Sequence, residues 1–295
     1  MRRVRGSLRS LALAIAIASV ACGDGPTRPD PIVDPPPPPP PPVNNSAPVI
    51  SSITVQGTRR NEPANFADVG DAVAVTAAVT DLETNVDLLQ YNWTATLGSF
   101  AGTGSRVSWV APPAAVTPAT VTITLEVVER FGTNQENRVS RTATVALHDS
   151  ITEVNNMSVR FLTEFSKPQS NQDVNDIMRD FKASVCPVPG EVSEEQTQVR
   201  NHYQNFFMHN YSIQPVRVTV EFGGTCIDGY GPLRGDACAA VLVMWDSTDL
   251  RNNTRTTTRG TDHLTAMFVS AENRWWLCSS RLPPSATLGN PFYLR

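Results

Sequence analysis

At 295 residues the chain is long enough for about two domains, and its apolar and charged fractions, 40% and 18%, suit a protein that builds buried cores. The net charge is −4, and basic residues do not cluster beyond the first few positions. That distribution excludes a nucleic-acid binder, because neutralising phosphates takes a concentrated basic surface.

The N-terminus reads as an export signal. Arg2, Arg3, Arg5 and Arg9 precede an apolar stretch from Leu11 to Val20. A positive start, a short apolar core and small residues after it describe a secretory signal. A membrane span needs about 20 apolar residues, more than this stretch offers. Ser19-Val20-Ala21-Cys22 resembles the lipobox of bacterial lipoproteins, with Ser19 where an aliphatic residue is usual. The resemblance implies that residues 1–22 are a signal peptide and that Cys22 is lipidated. The chain is then anchored on the periplasmic or surface face of a cell envelope; plain secretion is the alternative. Residues 23–47 form a proline-rich linker. The unbroken run Pro35–Pro42 favours polyproline II, a stiff spacer of about 25 Å. A stalk is its simplest use, and a ligand for a proline-binding domain is the rival.

Residues 48–148 read as all-β. Val49 to Val55 opens the set, Val73, Val75, Ala77 and Val79 alternate with small residues, and Leu89, Tyr91, Trp93 and Ala95 share one strand face. Val107 and Trp109 begin another strand, Val121, Ile123, Leu125 and Val127 alternate strongly, and Val139, Ala143, Val145 and Leu147 close the series. Short strands punctuated by Gly and Pro predict a β-sandwich. Asp81 after the second strand, Tyr91-Asn92-Trp93 and the long strand Thr120–Glu129 resemble immunoglobulin-like modules of the polycystic-kidney-disease type. Such modules imply a spacer or adhesive unit, without the antibody-type disulfide, since no cysteine pair is present here. Asp81, Glu83 and Asp87 share one loop and offer oxygens of the kind Ca²⁺ takes. Their spacing fits no calcium loop well, so a solvated acidic loop is the preferred reading and no metal is expected.

Residues 149–295 read as α+β. Ser150 with Glu153 and Ser193 with Gln196 read as capping boxes, with Ser170 and Asp173 a looser version. Val154, Met157, Phe161, Leu162 and Phe165 then share one helical face. Val174, Ile177, Met178 and Phe181 do so next, and Val199, Tyr203, Phe206 and Phe207 after them. Strands follow: Val216 to Phe222, then the uncharged run Cys238–Trp245, then Leu264 to Val269, then Arg274 to Ser280 after an Ala271-Glu272-Asn273 turn. The uncharged run fits a strand buried on both faces. Helices first and an antiparallel meander second is an α+β pattern. This order, with the closing strand Asn273-Arg274-Trp275-Trp276-Leu277-Cys278, resembles the nuclear-transport-factor-2-like fold, although Asn273 stands where Gly is usual. That fold implies a cone of curved antiparallel sheet over three helices. Its members hold a small apolar ligand, carry an active site, or bind proteins and dimerise through the outer sheet face.

Cys186, Cys226, Cys238 and Cys278 remain after Cys22, an even number in an exported chain. Cys226 and Cys238 flank one loop and pair across it, which leaves Cys186 for Cys278. A zinc site is the rival, but no close cysteine pair is present to build one. Ionisable candidates are His202, Tyr203, Tyr211, Asp228, Tyr230, Asp236, Asp262 and His263. Asp262 and His263 are adjacent, yet neighbours in a strand face opposite ways and form no dyad. His263 reads as a surface or packing histidine, and Tyr203 reads as core. Tyr203, Phe207, Trp245, Trp275 and Trp276 are the aromatic candidates for binding a ligand, a second copy of the chain or an envelope partner. No cofactor is implied. The leading expectation is a non-catalytic envelope lipoprotein that binds a protein or small apolar ligand. An isomerase or lyase using Asp262 or His263 as general base, helped by Tyr203, is the first alternative, and an adhesive envelope protein the second.

Overall fold

A computed structural model describes residues 44–59, 62–165, 173–205, 209–222 and 236–281. The signal segment, Cys22, the proline run, Phe207 and Cys226 lie outside these residues, as do the side chains of Tyr203 and Trp245.

The described chain is mostly strand with few helices. Alternation of Val, Ile and Leu with Thr builds its first half, because one face of each strand can then be buried and the other solvated. The strands are β1 (Val49–Gln56), β2 (Phe66–Asp68), β3 (Ala72–Thr80), β4 (Gln90–Ala95), β5 (Ser99–Ala101), β6 (Arg106–Val110), β7 (Ala119–Phe131) and β8 (Gln135–His148). They form two four-stranded sheets, β1-β3-β6-β5 and β2-β8-β7-β4, in which only β2 and β8 run parallel. Val73, Val75, Trp109, Val121, Ile123 and Val145 fill one cluster between the sheets, and Leu125, Val127, Ile50 and Leu89 fill a second. Trp109 is fully buried and donates Nε1–H to the Leu97 carbonyl at 3.0 Å. At Gly98, φ +79°, a Cβ would lie 2.6 Å from Trp109 Nε1 and 2.4 Å from the Val110 carbonyl oxygen. Only glycine fits at that turn.

The second half follows without a linker. β8 ends at His148 and helix α1 begins at Ser150. The remaining elements are α1 (Ser150–Phe165), α2 (Val174–Ile177), α3 (Glu191–Asn205), β9 (His209–Phe222), β10 (Ala237–Asp249), β11 (Thr254–Val269) and β12 (Arg274–Arg281). The four strands form an antiparallel meander in the order β12-β11-β10-β9. One sheet face, with Ala239, Val241, Val243, Leu264, Ala266, Trp275 and Leu277, packs against Val154, Phe161, Leu162, Ile177, Met178, Phe181 and Val199. Each such apolar side chain contributes about 1.5–3 kcal/mol by leaving water.

Four expectations need correction. The uncharged run is part of a longer strand and is fully buried on one face only; Ala240, Leu242 and Met244 are half-buried on the other. Asp149, not Ser150, caps α1: its Oδ1 accepts the Thr152 N–H at 3.1 Å, and Ser150 is already inside the helix. Helix α3 likewise starts before Ser193, whose hydroxyl donates back to the Gly190 carbonyl at 2.8 Å. A capping box one residue early was open to the sequence, because Asp149 and Ser150 are both good caps. In α2, Asp173 is the cap, accepting from the Asn175 N–H.

Both sheet edges are guarded. Phe181 bridges to Leu277, with the Leu277 N–H donating to the Asp180 carbonyl at 2.7 Å and the Lys182 N–H to the Leu277 carbonyl at 3.3 Å. On the opposite edge, the β9–β10 register slips beside Pro215, a residue with no N–H to offer. Cys186 and Cys278 form a disulfide that ties the segment after α2 to β12. Cys238 is also disulfide-bonded, to a partner outside the described residues.

Candidate functional site

The richest assembly of polar and aromatic side chains lies at the seam between the two halves. Because Asp149 caps α1, Ser150 is free for other work. Its N–H and Oγ–H both donate to Asp68 Oδ1, at 2.8 and 2.6 Å, and its Oγ accepts the indole N–H of Trp275 at 3.1 Å. One hydroxyl thus links β2, α1 and β12. Asp68 also pairs through Oδ2 with Arg59 Nη1 at 2.5 Å. The Arg59 guanidinium sits 4.3 Å from the Phe222 ring centre and 5.2 Å from that of Phe66. Cation–π contact of this kind adds about 0.5–2 kcal/mol.

His148 closes the seam from behind. It is fully buried, stacked on Phe66 at 5.2 Å and edge-on to Phe268 at 5.0 Å. Its Nδ1 meets the Glu153 carboxylate and its Nε2 meets Asn273 Oδ1, both at 2.9 Å. Burial pulls the imidazole pKa down, but the bonds to Glu153 and Asn273 and the charges of Glu153 and Asp68 together outweigh it. The pKa stands above its ordinary value.

The carboxylates beside Arg59 are pushed the other way from a typical ion pair. Burial raises Asp68 above its ordinary value, against the lowering effect of Ser150 and Arg59. Burial also raises Glu62, with Asp71 and Asp68 adding repulsion and Arg59 only partly offsetting it. Glu62 is held by its own turn: Arg59 N–H donates to Oε2 at 3.0 Å, and Gln56 Nε2 donates to the Glu62 carbonyl at 3.1 Å. The carboxylate rests where a side chain at position 57 would be, since a Cβ on Gly57 would lie 2.0 Å from Oε2. Between these groups is a small notch, lined by Arg59, Glu62, Phe222, Asp236, Phe268 and Trp275 among others.

Of the aromatic candidates, Trp275 belongs to this seam, 5.3 Å from Phe268 and buried. Trp276 faces the other side of the sheet. It lies under Arg274 at 4.1 Å and Lys182 at 5.1 Å, with Nε1–H donating to Glu272 at 3.0 Å. Asp262 and His263 are both buried, and they are not brought together. Asp262 shares the helix-facing side with Leu264 and accepts from Ser280 Oγ at 2.8 Å. Asp81, Glu83 and Asp87 do not converge. Asp81 Oδ1 accepts the Glu83 and Thr84 N–H groups at 2.9 and 2.7 Å, Glu83 accepts from Ser46, and Asp87 donates its N–H to Asn85. Among the described residues no group of three or more His, Cys, Asp or Glu is placed to hold a metal ion.

Sequence reasoning missed Arg59, Glu62, Asp68, Ser150 and His148 as one set. Their separation along the chain hides them, and only the single residue between β8 and α1 bears on how close the halves lie. No protein-family model matches the chain, and a search of curated proteins finds no match.

Proposed function

We propose that the chain is a non-catalytic cell-envelope lipoprotein. Residues 1–22 direct export and leave Cys22 as the lipid anchor. Residues 23–47 are the stalk, residues 48–148 an immunoglobulin-like spacer, and residues 149–295 a nuclear-transport-factor-2-like domain that binds a protein partner or small apolar ligand. The dispersal of the reactive side chains carries the non-catalytic part: Asp262 and His263 lie on opposite strand faces, and the space between helices and sheet is taken up by Phe161, Phe181, Met178 and Leu277. The Cys186–Cys278 disulfide fits an oxidising compartment. Membrane fractionation of a Cys22→Ala variant tests the anchor. The variant should move to the soluble fraction and lose labelling by radioactive palmitate, whereas retention with the membrane would overturn it.

A second reading is favoured by the Asp262–Ser280 pair, a buried carboxylate and hydroxyl within hydrogen-bond reach on the helix-facing side. In that reading Asp262 is the general base of an isomerase or lyase. Turnover of enolisable ketones or dehydratable alcohols that disappears in Asp262→Asn would establish it and displace the first.

A further inference from the structure

We propose that His148 is a proton-operated latch between the two halves: protonated, it holds the β11–β12 turn against the sandwich, and neutral, it lets that turn go. The latch goes beyond the binding reading and rests on neither the lipid anchor nor a ligand, since it uses only the joint of the folded halves.

Position comes first. His148 is the last residue of β8, and one residue separates it from α1, so it sits where the halves join. Its buried ring touches both sides of that joint: Phe66 of β2 face to face, Phe268 of β11 edge-on, Glu153 of α1 and Asn273 of the β11–β12 turn. A second observation is the kind of atom that each nitrogen meets. Nδ1 faces both Glu153 oxygens and Nε2 faces Asn273 Oδ1, all at 2.9 Å. A neutral imidazole has one N–H and serves only one of these two acceptor groups; an imidazolium has two and serves both. The stacked face of Phe66 favours the cation as well.

The charges around the ring act in one direction. Glu153 of α1 and Asp68, the β2 residue paired with His148, are the carboxylates that face it. Arg59 is the one cation on that side, across the Phe66 ring and bound to Asp68 at 2.5 Å. In the β11–β12 turn, Glu272 is taken by Lys182 and Arg274 by Asp180, so that turn offers His148 only the neutral Asn273 oxygen. Burial works against the proton, and the bonds to Glu153 and Asn273 with the charges of Glu153 and Asp68 outweigh it, so the latch is closed below the raised pKa and open above it. Loss of the proton has a directed result. Glu153 keeps the remaining N–H, because a charged acceptor bonds about twice as strongly as a neutral one. Nε2 then turns a lone pair toward Asn273 Oδ1, an acceptor facing an acceptor in a buried contact. The turn parts from β8, while the bonds among Asp68, Ser150 and Trp275, none of which involves His148, keep the halves joined.

The test is a titration of the purified chain from pH 5 to pH 9 by nitrogen NMR. It follows the two ring nitrogens of His148, assigned by their loss in His148→Gln, and the backbone order of residues 270–273 by relaxation. Should His148→Gln not fold, variants of His202, His209 and His263 identify the fourth ring by elimination. Both ring nitrogens should carry protons at the acid end, and the turn should lose order as the ring titrates. Asn273→Gly removes the facing oxygen at a left-handed residue, φ +51°, that glycine adopts freely, so its turn should be equally mobile at both ends of the titration. Asn273→Asp should raise the His148 midpoint by about one unit or more and carry the loosening of the turn up with it. A single protonated ring nitrogen throughout, with the Asn273 amide turned to donate to the other, would overturn the proposal. So would a turn whose order does not follow the His148 titration, or an unmoved midpoint in Asn273→Asp. None of these readouts depends on Cys22, so the latch and the lipoprotein reading fail separately.

Discussion

Buried carboxylates stand at opposite ends of β8, and the two ends treat them differently. Near the β7–β8 turn, Glu129 is fully buried and accepts from Asn45 Nδ2 at 2.6 Å, Thr84 Oγ1 at 2.5 Å and Asn137 Nδ2 at 3.1 Å. Every one of these donors is neutral. At the other end, Asp68 and Glu62 share one arginine, and burial holds both above their ordinary range. Fixed neutral donors can complete the shell of a single anion. A shared cation spread over several anions leaves an excess of negative charge and one oxygen without a donor. The far end therefore works as a clasp that holds Asn45, next to the first described residue, and at the seam end two carboxylates depend on one guanidinium.

Phe66→Ala should break this comparison most severely. Phe66 touches His148 and Phe268 as well as Arg59, so the loss should be about 3–5 kcal/mol. Calorimetry should then resolve two transitions where the parent chain shows one; a single unshifted transition would mean that the seam does not couple the halves. Arg59→Met should cost about 2–4 kcal/mol at neutral pH, since it strands partly buried carboxylates. The cost should shrink in acid, where Asp68 and Glu62 protonate readily, and a pH-independent cost in denaturant titrations would contradict the shared-cation account. At the clasp, Glu129→Gln should cost about 1–2 kcal/mol and leave the seam's pH response untouched. The smallest effect concerns His148. Its raised pKa means that its stabilisation is complete below the unfolded value near 6.5 and fades as pH climbs through the higher folded value. Chemical denaturation from pH 6 to pH 9 should show this decline in the parent and a flatter profile in His148→Gln.

Much of the fold was legible because alternation and helical spacing report burial directly. Val121, Ile123, Leu125 and Val127 are all fully buried, as a period of two requires, and Val154, Phe161 and Leu162 are buried along one face of α1. The meander and the turn before Arg274 were legible too, and Asn273 adopts φ +51° where glycine is more usual. The site was not. Arg59 lies in a turn whose composition signals only a loop, and Asp68 ends a strand of three residues, too short for a periodic pattern. What joins them is the parallel pairing of β2 with β8, a long-range contact that leaves no local trace. The helix start shows a smaller failure of the same kind. Asp149 and Ser150 are equivalent as caps by type, and the choice between them was made by Asp68 from far along the chain.

The guarded margins of the meander bear on crowding. At high local density a bare edge strand recruits a neighbouring chain into a growing fibre. Here one flank is occupied by Asp180 to Lys182 and the other is interrupted at Pro215. Backbone pairing through this sheet is therefore hindered at Leu277 on one flank and at Pro215 on the other.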